Sequence, residues 1–213
     1  RDIKTLVANL YTLAIADQQA SINMAEYVTL PPLNESERTP WTDDELRTIW
    51  RAYDDEEVMA SYLLLMIYTG MMPGELQKCT RGMVRLDECQ IIGAGLKTDV
   101  RKQAPIVLAD FIMPVVERIL TYTPEGDDVR ILILDKTSFY EAYHAFTRKW
   151  EVRDLPMYSC RHTTATALAV GTDVAPSIIQ KIMRHAKFTT TQRYIHPDAS
   201  DALTGVNKLS RKA

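Results

Sequence analysis

From Ile3 to Ala14 the apolar positions Ile3, Leu6, Val7, Leu10, Leu13 and Ala14 recur at intervals of three and four, which predicts a helix with one apolar stripe. The stripe gives way over Asn23 to Val28. Pro31-Pro32 and the polar run Asn34 to Arg38 then prevent any helix from continuing. The pattern restarts at Trp41, where Thr42 and Glu45 have the spacing of a capping box with Trp41 stapling from outside. A second helix is predicted over roughly residues 56–68, with Val58, Tyr62, Leu65 and Met66 inward and a stop at Thr69-Gly70. Pro73 suits the first turn of a further short helix. Over residues 82–108 the period shortens, and Met83–Leu86, Gln90–Ile92 and Pro105–Leu108 read as strands. Gly93, Gly95 and the polar run 97–103 supply the turns. Helical spacing returns at about 110–121, 137–150, 159–170, 175–184 and 190–195. These elements predict an α+β fold, mainly helical, with one small three-stranded antiparallel sheet.

The same pattern divides the chain. A linker is expected at 29–39, a main body at 40–198 and a tail at 199–213. One helix cannot bury its own stripe. Residues 1–28 are therefore either the end of a helical domain or a helix docked on the main body, and both readings stay open.

Composition narrows the class. The 213 residues are 46% hydrophobic and 25% charged, enough to build a core and too apolar for disorder. The longest uncharged run, Val58 to Gly74, is too short and interrupted to span a bilayer, and no N-terminal stretch has the layout of a signal peptide. Cys79, Cys89 and Cys160 form no C-x-x-C pair, which argues against a disulfide framework or zinc site and for a reducing compartment. The net charge of −3 speaks against nucleic acid, but the distribution is uneven. Acids crowd residues 41–60, whereas from Glu141 to His196 eight Lys/Arg face four acids. A modest basic face in the last third permits nucleic-acid binding without demonstrating it.

Four segments carry candidate chemistry: TGMMPGEL (69–76), GLKTDVRK (95–102), YSCRHTTAT (158–166) and MRHAKFTTTQRYIHPD (183–198). Taken singly, each has an ordinary explanation. Lys97 reads as a solvated turn lysine, Arg161 as a surface or ion-pair arginine, His185 as a helix-end cation and Tyr194 as a packing aromatic. Taken in order, they resemble the tyrosine site-specific recombinases of the phage-integrase family, in particular integrases of phages and conjugative transposons. The resemblance covers roughly 40–200 and rests on Arg161-His162-Thr163 opening a helix, on His185, the Thr-Thr pair, and Tyr194 nine residues after that histidine.

The resemblance implies site-specific recombination: integration or excision of a mobile element through a 3′-phosphotyrosyl intermediate, with no cofactor and no metal. It implies that Tyr194 is the nucleophile and that Arg161 clamps the phosphate. His185 donates to phosphate oxygens or handles the nucleophile's proton, and Lys97 is the general acid for the leaving 5′-oxygen. Arg101, Lys102, Arg184, Lys187 and Arg193 are expected DNA contacts, which position the duplex without specifying sequence. Residues 1–28 match the last helix of the family's DNA-gripping domain. The expected partners are double-stranded DNA attachment sites and further copies of the chain, as dimers and tetramers, in the bacterial cytoplasm and away from membranes. The tail, with Leu203, Val206 and Leu209, is a candidate for exchange between protomers.

Two positions depart from the family pattern. Tyr158 stands three residues before Arg161, where histidine or lysine is usual, and its hydroxyl can still bond a phosphate. Met72 stands at the arginine of T-G-x-R-x-x-E-L and brings neither charge nor donor. Loss of one preorganised donor costs roughly 10²–10³ in rate, so impaired cleavage is expected. Arg81 and Arg85 lie beyond the helix and are poorly placed to substitute. Arg184, at the family's usual glycine, is a conceivable replacement with nothing in the sequence to support it. Glu75 reads as a structural hydrogen-bond partner. The competing readings are an inactive DNA-binding member of the same fold and a helix-turn-helix regulator; the second leaves Ala186 to Thr189 and the upstream hairpin unexplained.

Overall fold

A computed structural model describes residues 2–31, 39–96, 102–170 and 173–195. The chain forms two compact units, Arg1–Glu37 and Arg38–Ala213. In the first, helix α1 (Asp2–Ala16) is followed by a 3₁₀ turn, Met24–Tyr27, capped by the Asn23 side chain. Lys4 Nζ donates to Val28 O at 2.6 Å and Asn23 Nδ2 to Ala8 O at 3.2 Å, folding the turn back along the helix. No residue of α1 is buried.

The second unit is organised around a helix for which the sequence pattern predicts one inward set, Val58, Tyr62, Leu65 and Met66. Helix α3 (Val58–Thr69) is buried on all sides from Met59 to Ile67, while Val58, expected inward, is 38% exposed. An uncharged segment with no polar stripe belongs in the centre of a bundle, and α3 packs against α2 (Asp43–Asp54), α5 (Met113–Tyr122), α6 (Lys136–Lys149) and α7 (Ser159–Val170). Tyr62 satisfies its buried hydroxyl by donating to Ile131 O at 2.9 Å. The capping box at Thr42 and Glu45 is present, and Trp41 is buried in the main core.

Helix α3 stops at Gly70, which takes a left-handed conformation (φ 62°) as the C-cap. Pro73 then opens α4 (Pro73–Lys78). The sheet follows as β1 (Val84–Arg85), β2 (Gln90–Ile91) and β3 (Ile106–Val107), in that order and antiparallel throughout. Val84 opposes Ile91, which in turn opposes Ile106. The β1–β2 turn is Leu86 to Cys89, upstream of the expected glycines. The last helices, α8 (Pro176–Ile182) and α9 (Phe188–Gln192), surround a small second core of Ala165, Ile179 and Met183 with Tyr194 against it. Helix α9 starts before the predicted 190–195 and ends before the tyrosine. No described helix is long and apolar enough to cross a membrane.

Candidate active site

Three helix ends meet at the site. Arg161, in the first turn of α7, is 2% exposed. Its Nη1 donates to Gly70 O at 2.6 Å and its Nη2 to Met183 O. Both carbonyls lie at helix C-termini, those of α3 and α8, where peptide dipoles leave negative partial charge. One guanidinium thus ties two helix ends to a third. Thr164 adds to the joint by donating to Ile67 O at 2.5 Å, and Thr163 Oγ1 accepts from Trp41 N at 2.9 Å.

Gly70 has a second reason to be glycine. A Cβ there would lie 3.1 Å from Met183 Sδ and Cε, so close approach and positive φ both select against a side chain.

Tyr194 sits between two histidines. Its Oη lies 3.2 Å from His162 Nδ1, within hydrogen-bond reach, and its ring stacks on His185 at 6.4 Å between centroids and 11° between planes. His185 Nδ1 lies 2.9 Å from Thr191 Oγ1, which fixes the imidazole. The site therefore brings Arg161, His185 and Tyr194 together as expected from the motif order. It also adds His162, whose only signal in the sequence is its place beside Arg161.

Position 72 is filled by Met72 at the N-cap of α4. Glu75 is fully buried, and its Oε2 accepts from Met72 N at 2.9 Å, the structural role expected of that acid. The same oxygen accepts from Arg184 Nη2 at 2.9 Å. Arg184, grouped from the sequence with the DNA-contacting surface cations, is thus inside the protein, its side chain 1% exposed. Its Nη2 also approaches Gly70 O at 3.5 Å. Lys187 and Arg193 are exposed, as is Lys102. Tyr158 is 37% exposed at the approach to α7, and its carbonyl accepts from His162 N at 3.3 Å. Lys97 and Arg101 lie outside the described residues. Arg81 is committed elsewhere, donating to Leu120 O and Thr123 O.

A groove of about 790 Å³ opens beside these groups, lined by Val107, Gln180, Lys181, Arg184 and His185 among others. The buried cysteines play no part in such chemistry: burial pushes the thiols of Cys79 and Cys160 up to about 12, leaving both protonated. Lys149 and Arg153 belong to the basic third of the sequence but are taken up by Glu57 and Glu45.

Residues 41–201 match the model of the phage integrase family, so the chain belongs to that family. It is similar to the tyrosine recombinase XerC of Caldanaerobacter subterraneus subsp. tengcongensis, 24% identical over 201 residues, covering 88% of this chain and 56% of the relative. The chain thus spans little more than half the length of that relative. Among solved structures it is similar in fold to the Tn1549 transposon integrase in complex with a circular intermediate DNA, with a TM-score of 0.76 and 17% identity over 98% of this chain and 78% of the other. The XerH recombinase bound to its difH substrate in a pre-cleavage complex gives a TM-score of 0.67 and 16% identity, covering 95% of this chain and 63% of the other.

Proposed function

We propose that this chain cleaves and rejoins DNA at specific sites by transesterification through Tyr194, in the integration or excision of a mobile element. The observation that carries the reading is the phenol itself, held against His162 and stacked on His185 beside the buried Arg161. A free phenol, with an ordinary pKa near 10, is a poor nucleophile until it is aligned and relieved of its proton. His162 is placed to take that proton. As it leaves, the bond from Tyr194 Oη to phosphorus forms and the bond from phosphorus to the 5′-oxygen breaks. Lys97, in the family's general-acid position, returns a proton to the leaving oxygen. Arg161 and His185 meet the charge on the non-bridging oxygens. The phosphodiester energy is kept in the phosphotyrosyl bond, so rejoining is the same step reversed.

In this reading Lys102, Lys187 and Arg193, with Arg101, contact the backbone of the duplex. Tyr158 hydrogen-bonds the phosphate in place of the usual histidine or lysine. Residues 1–28 end a DNA-gripping helical domain, 29–39 link it to the catalytic domain at 40–198, and 199–213 pass to a neighbour in a dimer or tetramer.

The test is covalent trapping. Nicked suicide duplexes of randomised sequence, incubated with the chain, yield an SDS-resistant protein–DNA adduct that vanishes with Tyr194→Phe. An adduct that survives Tyr194→Phe rules out the nucleophile. A second reading, a partner that binds DNA without cutting it, is favoured by Met72, which offers no donor where the family pattern has arginine. It predicts retained binding with no adduct.

A further inference from the structure

Arg184 is expensive where it stands. It is one of the few residues other than glycine with positive φ (52°), and it follows the C-terminus of α8 in a left-handed turn that glycine adopts without penalty. An L-residue there is strained, because its Cβ crowds the neighbouring backbone. Burying its guanidinium costs more, and a buried ion pair with Glu75 does not by itself repay that against an apolar filling. Residues held in such conformations cluster where function requires the side chain.

Where the side chain goes is informative. Arg184 and Arg161 converge on one acceptor, Gly70 O, at 3.5 and 2.6 Å. Arg184 and the backbone of Met72 share one oxygen of Glu75. The guanidinium therefore lies one carboxylate oxygen away from position 72, on the side of Arg161. It also lines the groove together with its chain neighbour His185. We infer that Arg184 supplies the second guanidinium of the phosphate clamp, replacing from the α8–α9 turn the cation that position 72 does not carry. Glu75 aims it, and Gly70 O holds both guanidinium groups until a phosphate arrives. A phosphate oxygen is a stronger acceptor for an arginine than a neutral carbonyl. The inference rests on the recombinase reading, and it removes the impairment expected from Met72.

The test extends the trapping assay. The scissile site is read by sequencing the parent's adducts, and duplexes are then made with either a phosphodiester or a methylphosphonate at that position. Arg184→Met is expected to lower adduct formation on the phosphodiester by about 10²–10³. On the methylphosphonate, which lacks the charged oxygen to be met, the loss shrinks to less than about tenfold, because a clamp with nothing to neutralise is dispensable. A merely structural arginine would depress both substrates equally. Because Arg184→Met strands a buried Glu75, the exchange Met72→Arg with Arg184→Gly is made alongside. It returns a cation to Glu75, relieves the turn and is expected to recover cleavage to within about tenfold of the parent.

Parent-level cleavage by Arg184→Met, an equal loss on both substrates, or a folded double variant that does not cleave overturns the inference. An adduct from Met72→Arg but none from the parent also overturns it and leaves the recombinase reading standing. No adduct from either removes both.

Discussion

The core around α3 and the cluster formed by α7, α8 and α9 are stabilised in opposite ways. Around α3 the chain buries Leu63, Leu64, Leu65, Met66 and Ile67 in a row, so packing is apolar and distributed. Among the described residues the α7–α9 cluster buries just Ala165, Ile179 and Met183 at its centre, and its geometry is set by polar ties. Arg161 holds two helix ends, Thr164 holds α3, Glu75 holds Arg184, and Thr191 holds His185. Hydrophobic contact is non-directional and supplies stability. Hydrogen bonds from planar, fixed donors supply direction, which a phosphate clamp needs and a core does not. Mutations should therefore separate stability from cleavage according to which region they touch.

The largest separation is expected from Leu64→Ala. A fully buried leucine lost from the centre of α3 costs about 2–5 kcal/mol, read as a lower denaturation midpoint, while the adduct per folded molecule stays at the parent's level. A fall in adduct per folded molecule as large as that of a site mutant would erase the contrast between the regions. His162→Ala should do the reverse. Loss of a proton acceptor for the phenol lowers trapping by about 10²–10⁴, with the urea midpoint nearly unmoved because His162 is only partly buried. A rate within a factor of about three of the parent's would remove His162 from the mechanism.

Gly70→Ala couples the two regions. Its left-handed φ and the 3.1 Å approach to Met183 predict about 1–2 kcal/mol of destabilisation from backbone strain. The shifted carbonyl should also reduce trapping, measured at a temperature where both proteins are folded. Destabilisation with unchanged trapping would show that Gly70 O does not position Arg161.

Glu45→Gln is the smallest effect, at about 1 kcal/mol, typical of a capping interaction. Burial raises the Glu45 pKa, but hydrogen bonds from Arg153 and Thr42 outweigh it and hold the group at about 2, below its ordinary 4.5. A depressed folded pKa stabilises in full above the unfolded value. The contribution should therefore be present above about pH 4.5 and fade as the pH falls toward 2, with Glu45→Gln flattening the melting temperature across that window.

Much of this architecture was legible from the chain alone. The capping box at Thr42 and Glu45, the stop at Gly70, the proline start of α4 and the three strands are local signals, each set by residues within one turn of one another. The resemblance grouped Arg161, His185 and Tyr194; only the nine-residue spacing of His185 and Tyr194 is a local property, whereas Arg161 reaches them through the tertiary contacts to Gly70 O and Met183 O. Tertiary structure decided what depended on distant partners. The burial of α3 on every side followed from the helices that surround it, while Val58, expected inward, is the first residue of the helix and lies at the surface. His162 comes within reach of Tyr194 only because α7 faces the turn after α9. Arg184 shows the difference most clearly. In sequence it is one cation among several in a basic third; in the fold a left-handed turn and a buried carboxylate more than a hundred residues away turn it inward beside Arg161. Local patterns fix elements because their energetics are local. The direction of a charged side chain is fixed by whatever acceptor the fold brings to it.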